Sequence, residues 1–323
     1  MTFPALILTA ALAVDASTLD LDVTHPGAEE FVAEVSERHG WPAERIRSLL
    51  AGAERSQTII DAISRPAEAK PWSDYRPIFM TDKRIKDGVK FWRSNQDLLI
   101  EVSETYGVPP GLIVAIAGVE TSYGNILGRF RVLDALATLA FHYPPRSRFF
   151  RSELEHFLLL GREETLPLTE LKGSYAGAMG MGQFISSSYR SYAVDHDEDG
   201  RRDLWGSRPD ALASIANYFR RHGWREGEPI AHRATAAPNA RELKKLSLKP
   251  AYPLQQMHDW GYAVDAPGVD PNTPVSLVTL EGKDGPEHWV TYQNFYVISR
   301  YNHSALYSMA VYQLAQAIEQ QLN

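Results

Sequence analysis

Residues 110–123 read "PGLIVAIAGVETSY", and an α-helix over this stretch is apolar nearly all the way round. Such a helix has no solvent face, so other elements must wrap it and the core must be built around it. Pro109 and Pro110 suit its start, and Gly124 and Asn125 suit its end. Ile113, Ile116 and Glu120 then share one stripe, with Leu112, Val119 and Tyr123 beside it. That stripe carries one ionisable group into a dry interior. A carboxylate there is costly unless it is paired or protonated, and desolvation favours the neutral acid. A carboxyl tuned to roughly pH 6–7 can donate a proton near neutrality. In the last turn, the negative end of the helix dipole also disfavours the ion. The alternative is a glutamate that emerges at the helix end and pairs with Arg129 or Arg131. Spacing alone leaves both readings open.

The rest of the chain reads mostly as helix. "HPGAEEFVAEVSERHG" and "PAERIRSLLAGA" carry helical spacing, with Pro42 at a start. "DGVKFWRSNQDLLIEVSETYG" reads as one long amphipathic helix ending at Gly107. "VLDALATLAFHY" stops at Pro144-Pro145, and "RFFRSELEHFLLLG", "SRPDALASIANYFRRHGW" and "SALYSMAVYQLAQAIEQQL" follow as further helices. From about 226 to 300 the character changes to Pro, Gly and β-branched residues. Here "PVSLVTLEGKDGPEHWVTYQNFYVI" reads as strand, turn, strand, with "GKDG" at the turn. The expected class is α+β, predominantly helical, with a small β-rich lobe before the last helix. The 323 residues suffice for two or three lobes.

Composition excludes several roles. Net charge is −7, which disfavours a generic nucleic-acid binder. The absence of cysteine removes disulfides, zinc–thiolate sites, a thiol nucleophile and lipid attachment at cysteine. Residues 1–16 read as an export signal lacking a positively charged start; the alternative is a short buried helix. No run is long enough for a transmembrane span.

Two other segments draw attention. "GSYAGAMGMGQF", 173–184, has glycines at 173, 177, 180 and 182, where backbones can approach closely, with Ser174 and Gln183 at its ends. It suits a site or a tight packing segment equally. "DHDEDGRRDLWG", 195–206, places Asp195, Asp197 and Asp199 at alternate positions with Gly200 sixth, like the first half of an EF-hand loop. Hard oxygens at that spacing suit Ca²⁺, with the Arg201 carbonyl seventh. The twelfth position is Gly206 rather than Glu, and a solvated acidic turn is the alternative.

"GVETSYGN", "RVLDALATLAFHYPPRSRFF", "GSYAGAMGMGQFISSSY", "LASIANYFRRHGW" and "NFYVISRYNHSALYSMAVYQL" together resemble the lytic murein transglycosylase B family, from about residue 27 to the end. The resemblance implies cleavage of the β-1,4 bond between N-acetylmuramic acid and N-acetylglucosamine in peptidoglycan. It also implies a lysozyme-like core with an added helical domain and a small β domain. On that pattern the helical domain is 27–80 with 142–172. The core is 81–141, 173–225 and 301–323, and the β domain is 226–300. Glu120 stands where the family's acid/base stands. Tyr75, Ser174, Gln183, Tyr218, Tyr301, Asn302 and Tyr307 match groove positions. Tyr218 and Tyr307 also suit core packing, and Asn302 also suits a cap on the last helix.

The resemblance further implies a lengthened calcium loop closed by Asp210, with Asp203 as a direct or water-mediated ligand. Any calcium would be structural, and no catalytic cofactor is implied. Partners would be glycan strands and other cell-wall enzymes, with no nucleic acid, and the location periplasmic. A hydrolytic muramidase and a non-catalytic peptidoglycan-binding scaffold are the competing readings.

Overall fold

The computed structural model describes residues 18–65, 70–243 and 246–322. The proposed export signal at 1–16 lies outside them. In chain order the first elements are β1 (Thr18–Asp20), α1 (Pro26–His39), α2 (Ala43–Ala51), β2 (Glu54–Ser56) and α3 (Gln57–Ser64). Next come α4 (Trp72–Phe79), α5 (Asp82–Ser94), α6 (Gln96–Tyr106) and α7 (Pro110–Thr121). The middle holds β3 (Phe130–Arg131), α8 (Val132–His142), α9 (Ser147–Glu163), β4 (Lys172–Gly173), α10 (Ser186–Tyr192) and α11 (Arg208–Arg221). The last third holds β5 (Ala231–Ala236), β6 (Tyr252–Pro253), α12 (Leu254–Asp259), β7 (Tyr262–Val264), β8 (Pro274–Gly282), β9 (Gly285–Thr291), α13 (Gln293–Tyr301) and α14 (Ala305–Gln320). The protein is a predominantly helical α+β protein.

The chain divides into two compact units. Of the described residues, one comprises 70–123 and those from 215 onward, and the other 18–65 and 124–214. In the first, α7 is the buried axis: Gly111 to Val119 are all buried. Its neighbours α5, α6 and α14 supply the wrapping that an all-apolar helix demands. Each fully covered Leu, Ile or Val contributes about 1.5–3 kcal/mol. The same unit carries a five-stranded antiparallel sheet in the order β6-β8-β9-β5-β7. The β8–β9 hairpin closes with Gly282 opposite Gly285, so "GKDG" forms the turn as expected. Met257, Tyr262, Val275, Leu277 and Val290 form the core of this sheet. In the other unit, α8 packs on α9, and α9 on α10.

Two elements depart from the expected pattern. The stretch 87–107 is two helices, not one. Asn95 takes φ −132° and ψ 24°, and its Nδ2 donates to the Phe91 carbonyl at 2.7 Å. This local bond satisfies a carbonyl at the end of α5 and turns the chain into α6. The second strand of the hairpin ends at Thr291, and "NFYVI" is the body of α13. Its aromatic and β-branched residues favour strand in isolation, but Asn294, Phe295, Val297 and Ile298 bury a helical face.

Candidate active site

Glu120 sits in the last turn of α7. The helix ends at Thr121, before the expected Gly124, because Ser122 and Tyr123 adopt the left-handed conformation at φ 49° and 64°. Tyr123 folds back over the helix, and a Cβ at Gly118 would lie 2.7 Å from its ring. Only glycine admits that crossing. The Tyr123 hydroxyl donates to the Arg84 carbonyl at 2.7 Å, and the Arg84 guanidinium donates to the Gly118 carbonyl. Sequence reading missed this clamp. A basic residue near a helix C-terminus is the only cue for it, and nothing local connects Arg84 to α7.

The residue Glu120 is partly accessible, but its carboxyl is densely surrounded by protein. Desolvation pushes it up to about 7, against a smaller opposing effect from its hydrogen bond to Tyr307. The Tyr307 hydroxyl donates to Glu120 Oε1 at 2.5 Å. Arg131 is spoken for elsewhere: it pairs with Asp134 at 2.6 Å and Glu54 at 3.3 Å.

Three of the expected groove tyrosines gather at this carboxyl. Burial raises the phenols of Tyr75, Tyr301 and Tyr307, and the nearby charge of Glu120 raises each further. The Tyr75 hydroxyl is buried with no hydrogen-bond partner among the described residues. Tyr218 stands one ring away. It packs on Tyr301 at 4.7 Å between centroids, and its hydroxyl donates to the Arg300 carbonyl at 2.6 Å. Asn302 does not cap the last helix. It follows α13, its Oδ1 is buried without a partner among the described residues, and Ser304 caps α14 by accepting from the Tyr307 amide.

Ser174 and Gln183 belong to the other unit. Ser174 is 2% exposed, and its Oγ accepts from the amides of Ala176 and Ala178 at 3.2 and 3.0 Å. Gln183 is in the left-handed region at φ 51°, with Nε2 donating to the carbonyls of Leu127 and Gly180. Both side chains therefore shape the glycine-rich loop. Gly177, at φ 79°, presses this loop onto Leu136, which a Cβ would meet at 2.5 Å.

A carboxyl that dehydration pushes up to about 7, ringed by phenols and near the unsatisfied Tyr75 hydroxyl, is equipped to give a proton to a polar ligand. The profile described as "Transglycosylase SLT domain" matches residues 24–316. The Membrane-bound lytic murein transglycosylase B of Escherichia coli (strain K12) is 40% identical over 308 residues, covering 91% of this chain and 83% of that protein.

The chain belongs to the lytic murein transglycosylase B family.

It is a lytic murein transglycosylase acting on peptidoglycan. Three solved structures of two family members extend the likeness. Catenated lytic transglycosylase SltB1 from Pseudomonas aeruginosa is 45% identical, with a TM-score of 0.88, covering 92% of this chain and 98% of that one. Escherichia coli lytic transglycosylase Slt35, solved in complex with bulgecin A and with calcium, is 39% and 38% identical. Both forms give a TM-score of 0.86 and cover 94% of this chain and 96% of theirs.

The acidic loop of this family member lies between α10 and α11. Asp195, Asp197 and Asp210 each bring a carboxylate oxygen within 4.8 Å of the others. Asp199 is outside that trio and accepts from the Arg201 amide at 2.9 Å. Asp203 accepts from the amides of Trp205 and Gly206, both at 2.8 Å. Asp210 is fully buried, and its two oxygens accept from the amides of His196 and Asp203 at 2.8 Å each. Three hard oxygens in one small volume fit a divalent cation of the calcium kind. Among the described residues, no single helix is long and apolar enough to cross a membrane.

Proposed function

We propose that Glu120 is the general acid and base of this transglycosylase. The observation that carries the reading is its carboxyl, pushed to about 7 by desolvation and bonded to Tyr307. At neutral pH a large fraction is protonated. It gives its proton to the glycosidic oxygen between N-acetylmuramic acid and N-acetylglucosamine, and the C1–O bond breaks. The N-acetyl carbonyl of the muramic acid engages C1 as positive charge develops there. Glu120, now a carboxylate, takes the proton from the C6 hydroxyl of the same sugar. O6 attacks C1, and an anhydromuramic ring closes with Glu120 again protonated. One carboxyl suffices because the acceptor is intramolecular, and its effective concentration exceeds that of water. In most retaining and inverting hydrolases a second carboxyl attacks C1 or activates water; here the N-acetyl carbonyl engages C1, the C6 hydroxyl replaces water and Glu120 itself is the base.

The Tyr75 hydroxyl, near enough to feel the Glu120 charge and without a hydrogen-bond partner among the described residues, supports a polar ligand at this site, since such an atom is costly to bury dry; Asn302 joins the groove on the family pattern. Tyr301 and Tyr307 orient the sugar beside Glu120, and Tyr218 holds Tyr301. Ser174 and Gln183 contact polar groups of the substrate, as the family pattern assigns. Asp195, Asp197 and Asp210, with Asp199 and the Arg201 carbonyl completing the set, would hold a structural calcium that fixes the loop into α11. The domain division into 27–80 with 142–172, the core, and 226–300 accompanies this reading, as does a periplasmic location where the polymer lies.

The deciding experiment is digestion of purified peptidoglycan by wild type and Glu120→Gln, with mass analysis of the products. Wild type should release anhydromuramic ends. The variant should keep its fold and lose at least about 100-fold in turnover, the lower range for general acid catalysis. Near-normal release by the variant removes Glu120 from the mechanism. Reducing ends in place of anhydro ends would make the enzyme a hydrolytic muramidase.

A further inference from the structure

A cavity of about 510 Å³ lies in the same unit as Glu120, walled by α4, α14 and the strands β5 and β9. Its lining is unlike the tyrosine-rich surroundings of Glu120. Three cations meet there, Arg76, Arg233 and Lys283, against one carboxylate, Glu287. Arg233 is paired with Glu287 and lies over the Trp289 ring at 5.2 Å. Arg76 and Lys283 have no ion-pair partner among the described residues. Two uncompensated cations in one cavity stand out in a chain of net charge −7. Arg76 is held in place by Nε, which donates to Gln313 Oε1 at 2.6 Å. Its two Nη groups keep the fork that fits a carboxylate.

The remaining walls suit a peptide. Gln313, Gln316 and Gln320 stand on α14; Gln313 Oε1 accepts from Arg76 and Gln316 Nε2 donates to Tyr312, which leaves the Gln313 amide N–H groups to donate and the Gln316 carbonyl to accept, as a peptide backbone requires. Trp72, also in the lining, is 1% exposed, and its indole Nε1 is buried without a hydrogen-bond partner among the described residues. A saccharide platform presents an open ring face. Trp72 does not, Arg233 lies over the Trp289 ring, and the excess positive charge has no use for a neutral sugar. The volume lies within the range of small-ligand sites.

The geometry points to a binding site for a short carboxylate-bearing peptide, of the kind peptidoglycan carries as stems on its muramic acid. This assignment rests on the peptidoglycan reading above. It is supported by the elements the two sites share. Tyr75 and Arg76 are neighbours on α4, one near Glu120 and the other in the cavity. Tyr307 and Gln313 share α14, six residues or about 9 Å apart along its axis. An extended peptide of three or four residues spans about 10–14 Å. The stem could come from the strand being cut or from a neighbouring strand, and the chemistry recognised is the same.

The test separates binding from turnover. Calorimetry with the free stem tetrapeptide should show binding to wild type and to Glu120→Gln alike. Binding should weaken at least about 10-fold in Arg76→Gln/Lys283→Gln, and should fall with added salt. Amidation of the peptide's carboxyls should have the same effect as the double variant. In kinetics, the double variant should raise KM about 5-fold on stem-bearing glycan with kcat unchanged, and leave glycan stripped of stems by an amidase untouched. A KM effect on soluble uncrosslinked strands assigns the stem to the strand being cut. An effect confined to crosslinked wall assigns it to a neighbour. Equal peptide binding by wild type and double variant overturns the site, as does an equal KM rise on stripped glycan. Binding indifferent to charge but lost in Trp289→Ala would make the cavity a saccharide platform and likewise overturn it. Failure of the catalytic reading would appear separately, as turnover surviving in Glu120→Gln.

Discussion

Two groups of carboxyls in this chain meet opposite fates. Glu120 has one hydrogen-bond partner among the described residues, the Tyr307 phenol, and dehydration pushes it to about 7. The loop before α11 surrounds its aspartates with backbone amides instead. Asp195 accepts from Asp199 and Gly200, and Asp210 from His196 and Asp203. Burial raises Asp210 as well, but those two amides pull against it. The contrast teaches that burial alone does not make an acid catalyst. A carboxyl that burial leaves short of donors keeps its proton and can pass it on. One that is fed by fixed amides is prepared for negative charge, and a cluster of such groups is prepared for a cation.

The largest effect that would break this comparison concerns Glu120 and pH. The unfolded chain releases this proton near 4.5, while the folded protein keeps it to about 7. Between those values the native state binds more protons, so stability is fully present below about 4.5 and falls as pH rises through 7. A shift of that size corresponds to about 3 kcal/mol. Glu120→Gln cannot titrate, so in urea denaturation its stability relative to wild type should climb by about that amount from acid to pH 8. Parallel curves for the two proteins would mean that the Glu120 carboxyl is hydrated. The rate should follow the same group, with kcat/KM declining as pH rises through 7.

The second effect sharpens the other half. If the acidic loop holds calcium, saturation at about 100 times Kd stabilises by about 2.7 kcal/mol. For a protein this large, that is a rise in Tm of about 5 °C over protein in a chelator. Asp210→Asn should abolish the rise, while chelated wild type below its melting temperature should turn over peptidoglycan within about two-fold of the calcium-loaded form. An identical calcium response in the Asn variant would remove Asp210 from the ligand set.

What the sequence disclosed follows the same division between local and distant causes. The burial of α7 and the position of Glu120 are readable because helical periodicity is a local property. The β8–β9 hairpin is readable from "GKDG" for the same reason. The break at Asn95 is hidden because the apolar pattern runs through it, and the stop comes from one side-chain bond. "NFYVI" misleads because its intrinsic preference is overridden by packing. Tyr307 lies 187 residues from Glu120, so only resemblance to the family could pair them before the fold was seen. Asp210 falls outside any EF-hand spacing and is brought to Asp195 and Asp197 by the entry into α11. The clamp of Arg84 on Gly118 and the cavity beside α4 depend on helix packing that no local pattern encodes.

The smallest predicted effect probes the difference between a removable donor and a fixed one. The donors to Asp210 are main-chain amides, beyond the reach of substitution. The donor to Glu120 is a side chain, and Tyr307→Phe deletes it while keeping the ring. The bond lowers the Glu120 pKa, so its loss should move the descending limb of the pH–rate profile to higher pH. At pH 6 the acid is largely protonated in both proteins, so the bond at stake there is closer to a neutral one, worth about 1 kcal/mol. Turnover at pH 6 should therefore fall only about 5-fold, with the shifted limb as the more telling readout. A limb that moves to lower pH would mean that Tyr307 stabilises the neutral acid rather than the carboxylate. The contrast between one phenol and a set of fixed amides would then be drawn the wrong way round.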